Sequence, residues 1–102
     1  MNEYEFNQLA DTALTRIETA IDARCSDVDY NRSGNLLEIE FDNGAKIIVN
    51  RHDINQEIWV AAKSGGFHYA YQDGAWISQR DGSELYARLT ELFATQGEAI
   101  RC

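Results

Sequence analysis

Four carboxylates in the first third of the chain have the spacing to act together. Glu18 and Asp22 are four residues apart, which on a helix makes them surface neighbours able to approach one ion. Asp27 and Asp29 are two apart, which on a strand puts them on one face. Asp11 continues the helical line, since Asp11, Glu18 and Asp22 fall within about 40° of one another by rotation, and Glu3 lies further toward the helix start. Carboxylate oxygens hold cations without any help from cysteine. An ion held this way keeps much of its water, exchanges readily and is poorly discriminated from other divalent and trivalent cations. Close carboxylates also repel one another, so the cluster is expected to cost stability that a bound cation or salt restores.

The element that must position these groups is an amphipathic helix over about Asn2 to Arg24. Phe6, Leu9, Ala10, Ala13, Leu14, Ile17, Ala20 and Ile21 recur at three- and four-residue steps and form one apolar arc, with the acidic line beside it. Arg24 complements the C-terminal end of the helix dipole. Asp27 and Asp29 then alternate with Val28 and Tyr30 as a short edge strand, where charges also serve to discourage sheet-to-sheet aggregation. The cluster Asn31-Arg32-Ser33-Gly34-Asn35 reads as a turn.

Leu37, Ile39 and Phe41 alternate with Glu38 and Glu40, and the chain returns through Lys46 to Asn50. Asn43-Gly44 between them suits a two-residue type I′ turn. Arg51 to Gln56 reads as a polar loop, placing His52 beside Asp53. A strand from Glu57 to about Ala62 follows, with Ile58 and Val60 inward and Trp59 outward. Ser64-Gly65-Gly66 turns the chain into Phe67, Tyr69 and Tyr71 on one face, with His68 outward near Trp59. After Gln72-Asp73-Gly74 comes the strand Ala75 to Ser78. Ser83 is placed to cap a second helix whose buried side carries Leu85, Leu89, Leu92 and Phe93, with a Glu84–Arg88 pair outside and Gly97 as its stop.

Helix, five or six short strands, helix, without a linker or repeat, implies an α+β fold. It should be a two-layer sandwich, two helices on one face of a mainly antiparallel sheet. At 102 residues the chain forms a single domain, 1–102. The other sheet face stays open and carries Glu38, Glu40, Ile48, Asn50, Glu57, Trp59 and His68.

A net charge of -8 is concentrated at one end: residues 1–42 hold ten acids against Arg16, Arg24 and Arg32. Such a surface opposes nucleic acid and anionic membrane and favours cations or a basic protein partner. Solubility alone is the other reading. No apolar run spans a bilayer, and Met1-Asn2-Glu3-Tyr4-Glu5 has neither the basic nor the apolar region of a signal peptide, so a cytoplasmic address is expected. Cys25 and Cys102 lack metal or redox spacing and are expected to be free thiols. Neither His52 nor His68 has a partner at metal-site spacing, which gives both surface or structural roles. No Ser-His-Asp or Cys-His pairing and no phosphate-cradling glycine loop is present in the sequence.

The runs Phe41-Asp42-Asn43-Gly44-Ala45-Lys46-Ile47-Ile48-Val49-Asn50-Arg51, Glu57-Ile58-Trp59-Val60-Ala61, Gly65-Gly66-Phe67-His68-Tyr69 and Trp76-Ile77 closely resemble bacterial frataxins, the CyaY type. The opening Met1-Asn2-Glu3 with Phe6 and Leu9-Ala10-Asp11 resembles the family's first helix. The resemblance implies a non-enzymatic iron-binding protein that docks on the cysteine desulfurase of the iron-sulfur cluster assembly and scaffold machinery. Such a protein would regulate that machinery or supply it with iron, and would be monomeric without metal. It implies that Glu18, Asp22, Asp27 and Asp29, with Glu3 and Asp11, form an acidic ridge holding Fe2+ or Fe3+ weakly and exchangeably, other divalent cations being admitted. It further implies a partner surface of Glu18, Asp22, Asn50 and Trp59, the family's Asn-Arg pair matching Asn50-Arg51. The ridge is sparser than the family pattern, with Thr19, Ala23 and Asn31 where further acids are common, and Ile54 stands where a proline is common. Alternatives are a ferroxidase, for which an exposed stripe lacks the enclosed di-iron site of a bundle core, and iron storage through cation-induced oligomers, which the net charge opposes until it is screened.

Overall fold

The structure, a computed structural model, describes residues 1–100. Helix α1 spans Glu3–Arg24 and is followed by six strands, β1 Asp29–Ser33, β2 Leu36–Glu40, β3 Lys46–His52, β4 Glu57–Ala62, β5 Gly65–Gln72 and β6 Ala75–Ser78, and then by α2 Leu85–Thr95. The strands form one sheet in chain order, every neighbouring pair antiparallel. Both helices bury their apolar sides against one face of it.

Asn2 caps α1 by accepting the Glu5 amide on Oδ1 at 2.7 Å, which satisfies one of the donors a helix start leaves unpaired. The expected arc packs inward: Phe6, Ala10, Ala13, Leu14, Ile17, Ala20 and Ile21 are buried, and Leu9 lies at the margin. They meet Leu37, Ile39, Ile47, Val49, Ile58, Val60, Tyr69 and Trp76 from alternate strand positions. Phe6 meets Trp76 edge to face at 6.1 Å, and Phe41 meets Phe93 of α2 likewise at 4.9 Å. Cys25 is a buried free thiol whose pKa is pushed up by burial and then by nearby Glu98, so it stays protonated at neutral pH. The expectation for Cys102 lies outside the described residues.

Several local expectations are corrected. The β2–β3 connection is not a two-residue type I′ turn, because Asn43 keeps negative φ and only Gly44 is left-handed, at +88°. Phe41 and Ala45 are bridged by a Phe41 N–H to Ala45 carbonyl bond, and the Gly44 amide returns to Phe41. The loop is therefore the three-residue kind, a turn closed by a left-handed glycine. The type I′ signature sits instead at Asp73-Gly74, where both central residues have positive φ between the paired Gln72 and Ala75.

Strand β1 begins at Asp29 and runs to Ser33, so most of the expected Asn31–Asn35 turn is strand and only Gly34-Asn35 reverses the chain. Strand β3 continues through Arg51 and His52, which pair with Ile58 and Glu57, so His52 is not in a loop. Ser83 does not cap α2: its hydroxyl donates to Asp81, and Glu84 is the cap, accepting the Tyr86 and Ala87 amides. Arg88 accordingly pairs with Asp81 and Glu91 rather than with Glu84. Past α2, the Gly97 amide bonds to Ala94 and the Glu98 amide to Phe93, the paired bonds of a Schellman stop. Among the described residues, no helix is long and apolar enough to cross a membrane.

Candidate functional site: an acidic helix face and an aromatic row on the open sheet

Asp11, Glu18 and Asp22 do stand on one exposed flank of α1, beside the edge strand β1. What faces them from β1 is decided by period two. Tyr30 and Arg32 share the inward side with Val28, while Asp29 and Asn31 point to the open face, opposite Glu40 and Glu38. Asp29 therefore does not join the helix carboxylates. It forms the corner of a second acidic patch on the far side of the sheet, where Glu38 is partly offset by Lys46 at 3.2 Å. Asp27 lies exposed in the turn before β1, and Glu3 is exposed in the first turn of α1.

The helix carboxylates are already engaged. Arg32 donates from Nη2 to Asp11 Oδ1 at 3.0 Å, and from Nη1 to Glu18 Oε1 at 3.1 Å and Thr15 Oγ1 at 3.2 Å. Asp11 also receives Arg51, which rises from β3, passes 5.8 Å from the centroid of the Phe6 ring and reaches Asn7 as well. The Arg51 side chain is only 9% exposed, so its charge is paired where it leaves the core. Asp22 is met by a neutral group: the Tyr30 hydroxyl donates to its two oxygens at 3.0 and 2.9 Å. That hydrogen bond, ahead of desolvation, holds the Tyr30 hydroxyl above its ordinary pKa.

Repulsion among the ridge carboxylates is thus offset within the protein. Arg32 went unrecognised because it sits inside a turn-like run of Asn, Ser and Gly. The alternation Val28, Tyr30, Arg32, a branched aliphatic, a ring and a long apolar stem, was the signal that could have placed it inward.

Among the described residues, no group of three or more His, Cys, Asp or Glu side chains is gathered to chelate a metal. The donor set still suits iron held loosely, because carboxylate oxygen is a hard ligand and an open surface lets water fill the remaining positions.

The second feature stands on the open sheet face. Trp59 points outward as expected, across from Asn50 on β3 and His68 on β5. Its indole is stacked between two imidazoles, with His52 at 4.1 Å and 2° from parallel on one side and His68 at 4.1 Å and 7° on the other. The indole N–H donates to Glu57 Oε1 at 2.9 Å. The three rings stand as a row on the open face, His68 exposed and Trp59 and His52 half-buried, a preorganised aromatic surface of the kind that anchors protein partners.

Residues 1–99 match the frataxin-like domain family. The iron-sulfur cluster assembly protein CyaY of Chromobacterium violaceum is 57% identical over 101 residues, covering 98% of this chain and 96% of that one. Its Vibrio cholerae counterpart is 50% identical over 91 residues, covering 89% and 88%. Among solved structures, frataxin from Psychromonas ingrahamii superposes with a TM-score of 0.91 at 40% identity, covering 98% of this chain and 96% of that one. Trimeric frataxin from the yeast Saccharomyces cerevisiae, complexed with ferrous iron, superposes with a TM-score of 0.70 at 25% identity, covering 94% and 86%. With its helix–meander–helix order, its outward sheet tryptophan and these relatives along nearly its whole length, the chain belongs to the frataxin family, in its bacterial CyaY branch.

Proposed function

We propose that this protein serves iron-sulfur cluster assembly as a non-enzymatic, cytoplasmic adaptor. It carries iron weakly on the α1 ridge and docks on a cysteine desulfurase, whose rate it modulates. The observation that carries this reading is the pairing of two uncovered surfaces in a chain so similar to proteins named for that process. One is the carboxylate flank of α1, and the other is the Trp59 row on the open sheet.

Iron is cargo in this reading, not a resident cofactor. Glu18 and Asp22 offer oxygens from adjacent helical turns, and the exposed Asp27 lies in the turn that follows the helix. An ion meeting one or two carboxylates and several waters exchanges fast and is readily handed on. A net charge of -8 weighted to residues 1–42 steers the molecule toward a basic surface and makes the complex salt-sensitive.

Pull-down against a purified cysteine desulfurase at two salt concentrations, with and without ferrous iron, tests the reading. Capture that weakens with salt supports it. No capture in any arm overturns it. The trimeric yeast relative motivates a second reading, cation-induced self-association. Sedimentation with and without ferrous iron separates the two, because only self-association changes the mass without a partner present.

A further inference from the structure

The helix ridge is not electrically uniform. Over its first half, Asp11, Thr15 and Glu18 occupy successive turns of one line, and a single guanidinium bonds all three. Arg51 adds a second positive charge at Asp11. The Arg32 side chain is 25% exposed and that of Glu18 20%, so this pair is more shielded from water than an ordinary surface pair. Beyond Glu18 the ridge changes character, since among the described residues Asp22 is engaged by the uncharged Tyr30 hydroxyl and by no guanidinium. Arg32 is the one basic residue in β1, and strand pairing with Leu37 fixes it on the side that faces α1.

A cation from solution competes for oxygens. At Asp22 it displaces a neutral hydroxyl, which returns to water at little cost. At Glu18 or Asp11 it must displace a planar guanidinium whose donors are matched to carboxylate oxygens.

We propose that Arg32 is an intramolecular counter-cation that competes with external cations for Asp11 and Glu18. It thereby lowers the affinity of the ridge and directs a bound ion to its Asp22 end. This rests on the reading of the ridge as a cation-binding surface and adds what governs that surface. Arg32 acts through the carboxylates it occupies and is a positioning residue, not a ligand.

The test uses manganese(II), whose paramagnetism broadens amide signals near the bound ion and so locates it. The unmodified chain, Arg32→Met and Arg32→Lys are titrated side by side. Met keeps an unbranched stem without charge, and Lys keeps the charge without the fork.

In the unmodified chain, broadening is expected to centre on residues 22–27 and to weaken along α1 toward residue 11. In Arg32→Met it should spread to residues 11–18 with affinity higher by about three- to tenfold, the scale of one or two lost competing ion pairs. Arg32→Lys should fall between. Equal affinity and unchanged broadening in Arg32→Met would overturn the counter-cation. So would unmodified-chain broadening centred on residues 11–18. The latter arm decides the matter even where the Met variant folds poorly. If neither the unmodified chain nor Arg32→Met binds manganese on α1, the cation-binding reading falls as well. Binding by the first without gain in the second removes only the role of Arg32.

Discussion

Trp59 and His68 lie face to face on neighbouring strands, their ring centroids 4.1 Å apart and their planes 7° from parallel. The stack sits outside the core, so the indole adds shape to the surface without supporting the sandwich. Trp59→Arg should keep the fold and lose about 0.5–1.5 kcal/mol, the scale of an aromatic pair. Thermal unfolding checks this, and a desulfurase binding titration should show the same variant binding more weakly. Loss of folding would contradict the outward placement.

Charge reversal on the ridge separates its two halves. Asp22→Lys removes an acceptor held by a neutral hydroxyl and should weaken desulfurase binding by roughly tenfold at low salt, less at high salt. Glu18→Lys also places a second cation beside Arg32, so it should lower the melting temperature as well. A salt-resolved binding titration beside thermal melts distinguishes these outcomes.

Asp81 sets an acid limit on stability. The Ser83 hydroxyl donates to it at 2.6 Å, the Ser83 amide at 3.0 Å, and Arg88 at 2.9 Å. The two Ser83 bonds, the hydroxyl first, hold its pKa down to about 2 from 3.8. A carboxylate depressed in the folded state stabilises above its unfolded pKa, and that contribution fades as pH falls through the folded value. Asp81→Asn should therefore narrow the stability difference between neutral pH and the window from about 4 down to about 2. Urea unfolding at several pH values reads this, and an unchanged pH profile would contradict it.

Packing predicts a larger effect at Phe6. It is 1% exposed, lies edge to face with Trp76 and carries the Arg51 guanidinium over its ring. Phe6→Ala should lose about 3–5 kcal/mol, and part of the loss should come from an Arg51 left without its platform. Urea denaturation measures it.

The turn between β5 and β6 gives a backbone counterpart. Gly74 has φ +87° with open space where a Cβ would stand. Gly74→Ala should therefore cost only the left-handed strain, about 1–2 kcal/mol. Gly44→Ala should behave alike, since Gly44 also has positive φ and open space, while a shift in hydrogen exchange confined to β5 and β6 would distinguish the first.

Periodicity made much of this legible. The α1 arc, the alternation of β2 and β3, the outward Trp59 and its neighbour His68 all follow from counting by 3.6 or by two. Residues whose local composition argued one way and whose pairing argued the other were not legible. Arg32 stands among turn-forming residues, yet pairing with β2 draws it into the strand and turns it toward α1. His52 lies within the polar run Arg51 to Gln56, yet pairing with Glu57 extends β3 and brings it onto the indole. Asp29 has the right charge for the ridge and the wrong parity, one residue away from the side that faces the helix. The type I′ turn expected at Asn43-Gly44 fails for a related reason, since Asn43-Gly44 and Asp73-Gly74 are equivalent in composition and only the length of the loop each closes separates them.

The order of the sheet has a consequence for how the chain acquires its structure. Every strand pairs only with its neighbours in sequence, so the sheet closes through five short hairpins, each a local event. The helices are different, because α1 precedes the sheet in the chain and α2 follows it, yet they share one core. During synthesis the apolar face of α1 emerges before the strands that receive it, and β5, β6 and α2 complete its cover after β1–β4. The apolar stripe of α1 therefore stays without its cover until the strands have followed it, with the acidic flank beside it.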